Sequence, residues 1–398
     1  MNYSFLRIGF LAMATLCSPA LAHAEAMPGI AWTAKLDVPV YNPPQAANGH
    51  VYVTSVQATG PNVFAIDDKK GKIIWSFATK GSIAIPPTVG DTQLFVASDD
   101  GDTHFMRAIN ASTGALVWQY TRNQPPQCMC SYQATLAGGL LFAQTDGHSL
   151  YAFQPKGGAP SRRLWTFEGD GALLTNPVTA NGVAVVGSSD RNVYGLDAKT
   201  GKILWKRTAG YAFTADPVIV NDIVVIGDQG GNMLGFALKT GKLLWSVAAG
   251  GAIDNAAVID GQSAFFASED RNLYALDVTS GKARWQYAMD DYAAFAPVVA
   301  GGMVVVDNRA GQLIALDVNN GKSLWQADLN GTPFSSPVFW DARKAIVLKV
   351  GDHEIATFTL RSGAGVWRYA TKAVVTVPVI VGQNVDVATS KGAVLALY

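Results

Sequence analysis

Two cysteines one residue apart, in Cys128-Met129-Cys130, form the segment of this sequence best suited to redox or metal chemistry. Two thiolates and a thioether make a soft donor set that suits Cu(I). In an oxidising compartment the same pair can close a disulfide. A C-x-C ring is small and strained, and strained disulfides are the more easily reduced. The plainer reading is a local loop staple. A second group is polar: Gln133, Asn176, Asp216 and Asn255 stand ahead of short apolar runs, Ser336 follows further on, and Asp254 sits beside Asn255. A carboxylate flanked by amides can bind a metal or a polar ligand. Asn-Pro and Asp-Pro are equally ordinary turn starters. Asp190-Arg191-Asn192 and Asp270-Arg271-Asn272 read as hairpin turns, or as arginines shown to an acidic partner. Asp99-Asp100-Gly101-Asp102 lacks the spacing and distal Glu of an EF-hand. His50, His104, His148 and His353 are scattered, and there is no H-E-x-x-H, G-x-S-x-G or Walker sequence.

These residues are carried by a repeat. Its copies include VFAIDDKKGKIIW (63–75), VYGLDAKTGKILW (193–205), LYALDVTSGKARW (273–285) and LIALDVNNGKSLW (313–325). The tryptophans of the repeat fall at Trp32, Trp75, Trp118, Trp165, Trp205, Trp245, Trp285, Trp325 and Trp367, with steps of 40 residues from Trp165 to Trp325. LYALD alternates and is rich in β formers, so it reads as a strand. D-x-x-T-G is turn chemistry, with the Asp bonding its own backbone and the Gly taking positive φ. KILW resumes as an outer strand. Upstream, runs such as NPVTANGVAVVG (176–187) supply two more strands joined by a hairpin signal. Roughly 40 residues and four strands per unit is the period of a propeller blade. The expected fold is all-β, a single β-propeller of four-stranded blades over residues 25–398. Each Trp is expected to pack between neighbouring blades. The last residues, VLALY (394–398), match a third strand, and IAWTAKL (30–36) supplies the missing fourth. Pairing these segments closes the ring and removes exposed sheet edges. This composite brings the count to nine units.

Composition agrees with such a fold. Glycine is abundant at 40 residues in 398, as a chain full of tight turns requires. Basic and acidic residues balance at 30 each, which argues against a nucleic-acid binder or a general membrane-surface binder. Residues 1–24 read as a secretory signal peptide: Arg7, an apolar run Ile8 to Leu16, a break at Ser18-Pro19, and Ala22-His23-Ala24 as the cleavage pattern. The nine-residue run is too short to span a bilayer, and no transmembrane segment follows. The expected location is therefore the periplasm. A lipid-modified Cys17 is the alternative, disfavoured because Leu16 is bulky where a small residue belongs.

The pattern A-x-D-x-x-T-G-x-x-x-W resembles the tryptophan-docking repeat of the pyrroloquinoline-quinone (PQQ) propeller superfamily, and its copies cover residues 30–398. The quinoprotein dehydrogenase branch is larger, generally eight-bladed, and holds PQQ and a metal ion at the axis beneath adjacent, disulfide-linked cysteines. Cys128 and Cys130 are one residue wider than that signature. The BamB-like outer-membrane assembly branch is similar in length, eight-bladed and non-catalytic. The resemblance implies a protein-binding scaffold of the cell envelope with no cofactor, and precedent for eight blades stands against the count of nine. The alternatives are a small PQQ-dependent oxidoreductase acting on an alcohol or sugar, with PQQ and Ca²⁺ near Gln133, Asn176, Asp216 and Asn255, and a copper or thiol-redox protein using Cys128, Met129 and Cys130. PQQ is a tricarboxylate and needs several cationic partners; no Arg or Lys stands at those mouth positions.

Overall fold

The strands of one repeat show how the sequence is used. In 218–248, Val218–Val220 and Ile223–Gly227 form a hairpin, Asn232–Ala237 returns, and Leu243–Ala248 lies outermost. All neighbours pair antiparallel, with Val218 opposite Val225, Val225 opposite Gly235 and Gly235 opposite Trp245. The first hairpin turns through Asn221 and Asp222 at φ of 50° and 59°, the left-handed region that Asn and Asp enter more readily than other residues. Ile223–Gly227 is buried along its whole length, because the blade is sandwiched. Ile223 and Val225 pack toward Ala264 and Phe266 of the following blade. Val224 and Ile226 pack toward Val183 and Val185 of the preceding one. The outer strand buries only its Trp and exposes its neighbours.

The computed structural model describes residues 26–123, 134–144, 147–156 and 163–398. These form nine four-stranded sheets. Blades 1 to 8 span 45–77, 88–123, 134–168, 178–208, 218–248, 258–288, 298–328 and 338–370, and blade 9 combines 379–397 with 30–35. Nine resolves the choice between eight and nine. In blade 9, Ile30–Lys35 pairs with Ala393–Leu397, Trp32 opposite Ala396. Gly29 and Tyr398 exchange backbone hydrogen bonds of 3.1 and 3.0 Å. At most joints the first strands of successive blades contact one another.

Each joint between regular blades has one design. The Trp205 indole donates from Nε1 to the Leu238 carbonyl at 2.7 Å, and Trp245, Trp285 and Trp325 reach Val278, Val318 and Leu360 at 2.8–3.0 Å. The turn glycine of the next blade lies flat on the ring. A Cβ on Gly241, at φ +63°, would sit 2.6 Å from Trp205, so only glycine fits both the conformation and the space. Burying an indole of about 150–250 Å² at about 25 cal/mol per Å² gives an upper bound of roughly 4–6 kcal/mol per ring.

Candidate functional site

Strand direction alternates across each blade, so the ring has two chemically distinct faces. The loops leading into first strands and the hairpins between second and third strands lie on one, the loop face. The first hairpins and the D-x-x-T-G turns lie on the other, the turn face.

On the loop face, beside the central channel, the residues two positions ahead of the first strands of blades 4 and 5 are Asn176 and Asp216. They bond directly: Asn176 donates its backbone N–H and its side-chain Nδ2 to the two oxygens of Asp216 at 2.7 and 2.8 Å. Thr135 of blade 3 donates its hydroxyl to Asn176 Oδ1 at 3.3 Å. Asn255 is not in this row. It stands three residues ahead of Val258, the place held by Thr175 and Ala215. Its neighbour Asp254 instead meets blade 5, accepting from the Thr214 hydroxyl at 2.9 Å and from Gln229, and Gln229 also donates to Thr214 at 2.7 Å. Thr214 and Gln229 carry no motif, since their partnership depends on two loops of successive repeats. Ser336 occupies the Asn176 row in blade 8, where its carbonyl accepts from Ser335. Cys128, Met129, Cys130 and Gln133 lie outside the described residues, as do residues 1–24.

From blade 3 to blade 6 the described part of the mouth is thus acidic and internally bonded. In the four residues ahead of every described first strand there is no Lys or Arg. Those positions therefore supply none of the cations that a tricarboxylate such as PQQ needs. Among the described residues no group of three or more His, Cys, Asp or Glu is placed to hold a metal ion.

The recurring Asp-Arg-Asn segments form turns. Arg191 and Arg271 both take φ of 68°. Asp190 accepts from the Asn192 amide at 2.9 Å and the Tyr194 hydroxyl at 2.5 Å. Asp270 accepts from Asn272, Tyr274 and the Gly250 amide. Burial opposes the charge on both carboxyls, but these donors outweigh it and hold both below the usual range. Asp100 accepts from the Thr103 amide and pairs with Lys80 at 2.6 Å, so the Asp99–Asp102 run is spent on a turn.

Two further carboxyls are buried without a well-formed hydrogen bond, Asp307 and Asp386. Burial raises Asp307 to about 7, against a smaller pull from the Phe295 and Ala294 amides. Burial, with help from the charge of Asp68, raises Asp386 to about 8. Asp386 lies in the row Val379–Asp386–Ala396–Trp32. The corresponding residue of the other blades is apolar or aromatic, as in Tyr52, Phe142, Val185, Phe265 and Val305. In sequence the signal is NVDVA, an acid whose two neighbours are valines in a strand.

Nine Trp-jointed blades around a polar channel define a β-propeller of the PQQ-like superfamily. A family model described as outer membrane protein assembly factor BamB matches residues 21–162, 132–256 and 244–397. The chain belongs to that family. It is similar to BamB of Yersinia pestis, 26% identical over 174 residues, which is 42% of this chain and 43% of that protein. It is also similar to a tetrathionate hydrolase of Acidithiobacillus ferrooxidans, 28% identical over 186 residues, which is 43% of this chain and 34% of the hydrolase. The chain thus spans less than half the length of these curated relatives. In fold it resembles BamB from Moraxella catarrhalis, with a TM-score of 0.61, 14% identity, and 93% of this chain and 99% of that one covered. A quinohemoprotein alcohol dehydrogenase from Pseudomonas putida HK5 gives a TM-score of 0.56 at 14% identity, covering 83% and 72%.

Proposed function

We propose that this chain is a non-catalytic propeller of the periplasm that binds protein partners during outer-membrane protein assembly. The observation that carries this reading is the state of the channel mouth. Asn176 and Asp216 bond across the joint of blades 4 and 5, and Asp254 bonds to Thr214 and Gln229 across the joint of blades 5 and 6. They act as inter-blade clamps, so the ring is a rigid disc whose open surfaces are its two faces. Family membership supports the assembly role. The test is crosslinking in the cell from positions on both faces, followed by identification of captured proteins. Components of the outer-membrane barrel assembly apparatus are expected. Capture of none of them would overturn the reading.

The match to a tetrathionate hydrolase favours a second, catalytic reading. Purified protein incubated with tetrathionate, and separately with PQQ, Ca²⁺ and an electron-accepting dye on alcohols and sugars, checks it. Turnover in either assay would replace the scaffold reading. The copper and thiol-redox alternative is checked by copper titration of the Cys128→Ser/Cys130→Ser double variant, and unchanged stoichiometry dismisses it.

A further inference from the structure

Zero net charge conceals a separation between the two faces. The loop face carries Asp170, Asp190, Asp254, Glu269, Asp270 and Asp290 along one arc of the ring. The turn face carries Lys69, Lys70, Lys199, Lys239, Lys282 and Lys322 in its third-to-fourth-strand turns. The separation is partial: Asp197, Asp222, Asp277 and Asp317 also stand on the turn face, and Arg191, Arg271 and Arg309 on the loop face.

The separation is sharpest in blades 4 and 5. Blade 4 presents Lys199 and Lys202, and blade 5 presents Lys239 and Lys242, all exposed. Blade 5 departs from the turn pattern: Ala237 stands where Asp67, Asp197, Asp277 and Asp317 end their strands. The Asp197 carboxylate is turned onto its own turn, accepting from the Thr200 amide and hydroxyl at 2.8 Å each. Directly after the lysines come Ile203, Leu204, Leu243 and Leu244, exposed by 53, 49, 49 and 45%. The two sets form one patch. Arg207 of blade 4 donates to the Gly241 and Thr240 carbonyls of the blade 5 turn at 2.8 Å, and Gly241 lies on Trp205.

We infer that this sector of the turn face docks on an anionic lipid surface. Lysine ammonium groups interleaved with half-exposed aliphatic side chains are what an interface of phosphate headgroups and acyl chains rewards. The aliphatic side chains give the sector a role beyond attraction of counter-charge. The same Lys-aliphatic unit repeats from one blade to the next, as a laterally uniform partner permits. The inference is independent of which proteins the ring binds.

The test is co-sedimentation of the full chain with vesicles of phosphatidylglycerol and phosphatidylcholine, or of phosphatidylcholine alone. Binding to the anionic vesicles only is expected, weakening as salt shortens the screening length. The Lys199→Glu/Lys202→Glu/Lys239→Glu/Lys242→Glu variant should lose affinity on the order of a hundredfold. Its lysines are exposed, so an unchanged thermal melt confirms that it folds. Leu243→Ser/Leu244→Ser should lose roughly tenfold. All variants retain residues 1–24, so any contribution from that apolar segment is common to them. Equal binding by the quadruple variant and the parent would overturn the inference. So would an absence of vesicle binding, including the case where the parent self-associates at low salt and the variant does not, which would assign the patch to the acidic face of a second copy.

Discussion

Blades 4 to 7 and the seam, where blade 8 meets the two-ended blade 9, use the same four strands but close their joints by different means, although Trp32 of blade 9 itself keeps the regular bond, to the Asp68 carbonyl at 2.8 Å. In blades 4 to 7 every Trp meets a turn carbonyl and a turn glycine supplied by the next blade. Blade 9 is assembled from both ends of the described chain and has no turn between its third and fourth strands to offer Trp367. Residues ahead of Ile30–Lys35 fill that place: Ala26 bridges to Trp367, and its carbonyl accepts from the Arg368 amide at 3.1 Å. Trp340 adds an edge-on contact with Trp367 at 6.4 Å. The seam also holds Asp386 in the row that is apolar in the regular blades. What sets the seam apart is thus a backbone bridge in place of a turn, together with a buried carboxyl in mid-strand, whereas the buried carboxyl of the regular sector, Asp307, ends its strand.

The largest effect should come from removing a regular joint. Trp245→Ala is expected to cost about 3–5 kcal/mol in denaturant unfolding, as large-to-small core changes do. A loss below about 1 kcal/mol would contradict the joint's role. Gly241→Ala forces a Cβ into Trp205 at positive φ and should cost about 1–3 kcal/mol.

The seam should respond with the opposite sign. Asp386→Val restores the apolar row and is expected to stabilise the protein by about 1–4 kcal/mol at pH 8. A carboxyl held near 8 when folded, and near 3.8 when unfolded, binds its proton more tightly in the native state. Its contribution is complete below about 4 and is lost as pH rises toward 8. Stability of the parent should therefore decline across that window, with Asp307 adding a similar decline up to about 7. The Asp386→Val variant should show a shallower slope in melts at pH 5, 6.5 and 8. Identical slopes would mean that Asp386 is ionised or solvated in the folded ring.

Smaller effects concern the channel mouth and a single joint hydrogen bond. Asp216→Ala removes the acceptor of two Asn176 bonds and should cost about 1–3 kcal/mol. Trp205→Phe keeps most of the packing but orphans the Leu238 carbonyl, at about 1 kcal/mol. If the first of these is neutral, the mouth residues are free to serve a ligand, and the clamp reading fails.

The repeat makes most of the ring legible in the sequence. Strand alternation, D-x-x-T-G turns and the VLALY and IAWTAKL ends specify blades and their closure because each depends on local chemistry. The count of nine is legible too, and only precedent opposes it. The mouth is less legible. Asn176 and Asp216 stand out by their place before proline, but Asn255 precedes an alanine pair, so nothing local fixes its register and the repeat pattern puts it one position out of step. Thr214 and Gln229 have no sequence signature, because their partner Asp254 belongs to the next repeat. Asp386 is legible only as an oddity, since its burial depends on the side of the strand that faces blade 1.

Joining Ile30–Lys35 to Ala393–Leu397 also makes ring closure the step expected last in folding. Interior blades can dock on their sequence neighbours as they form, but the circle must wait for partners from opposite extremes of the polypeptide, a contact with a large loop-closure cost. Until that late step, the molecule is an open arc with two unsatisfied sheet borders, and this is when it is most exposed to domain exchange or aggregation.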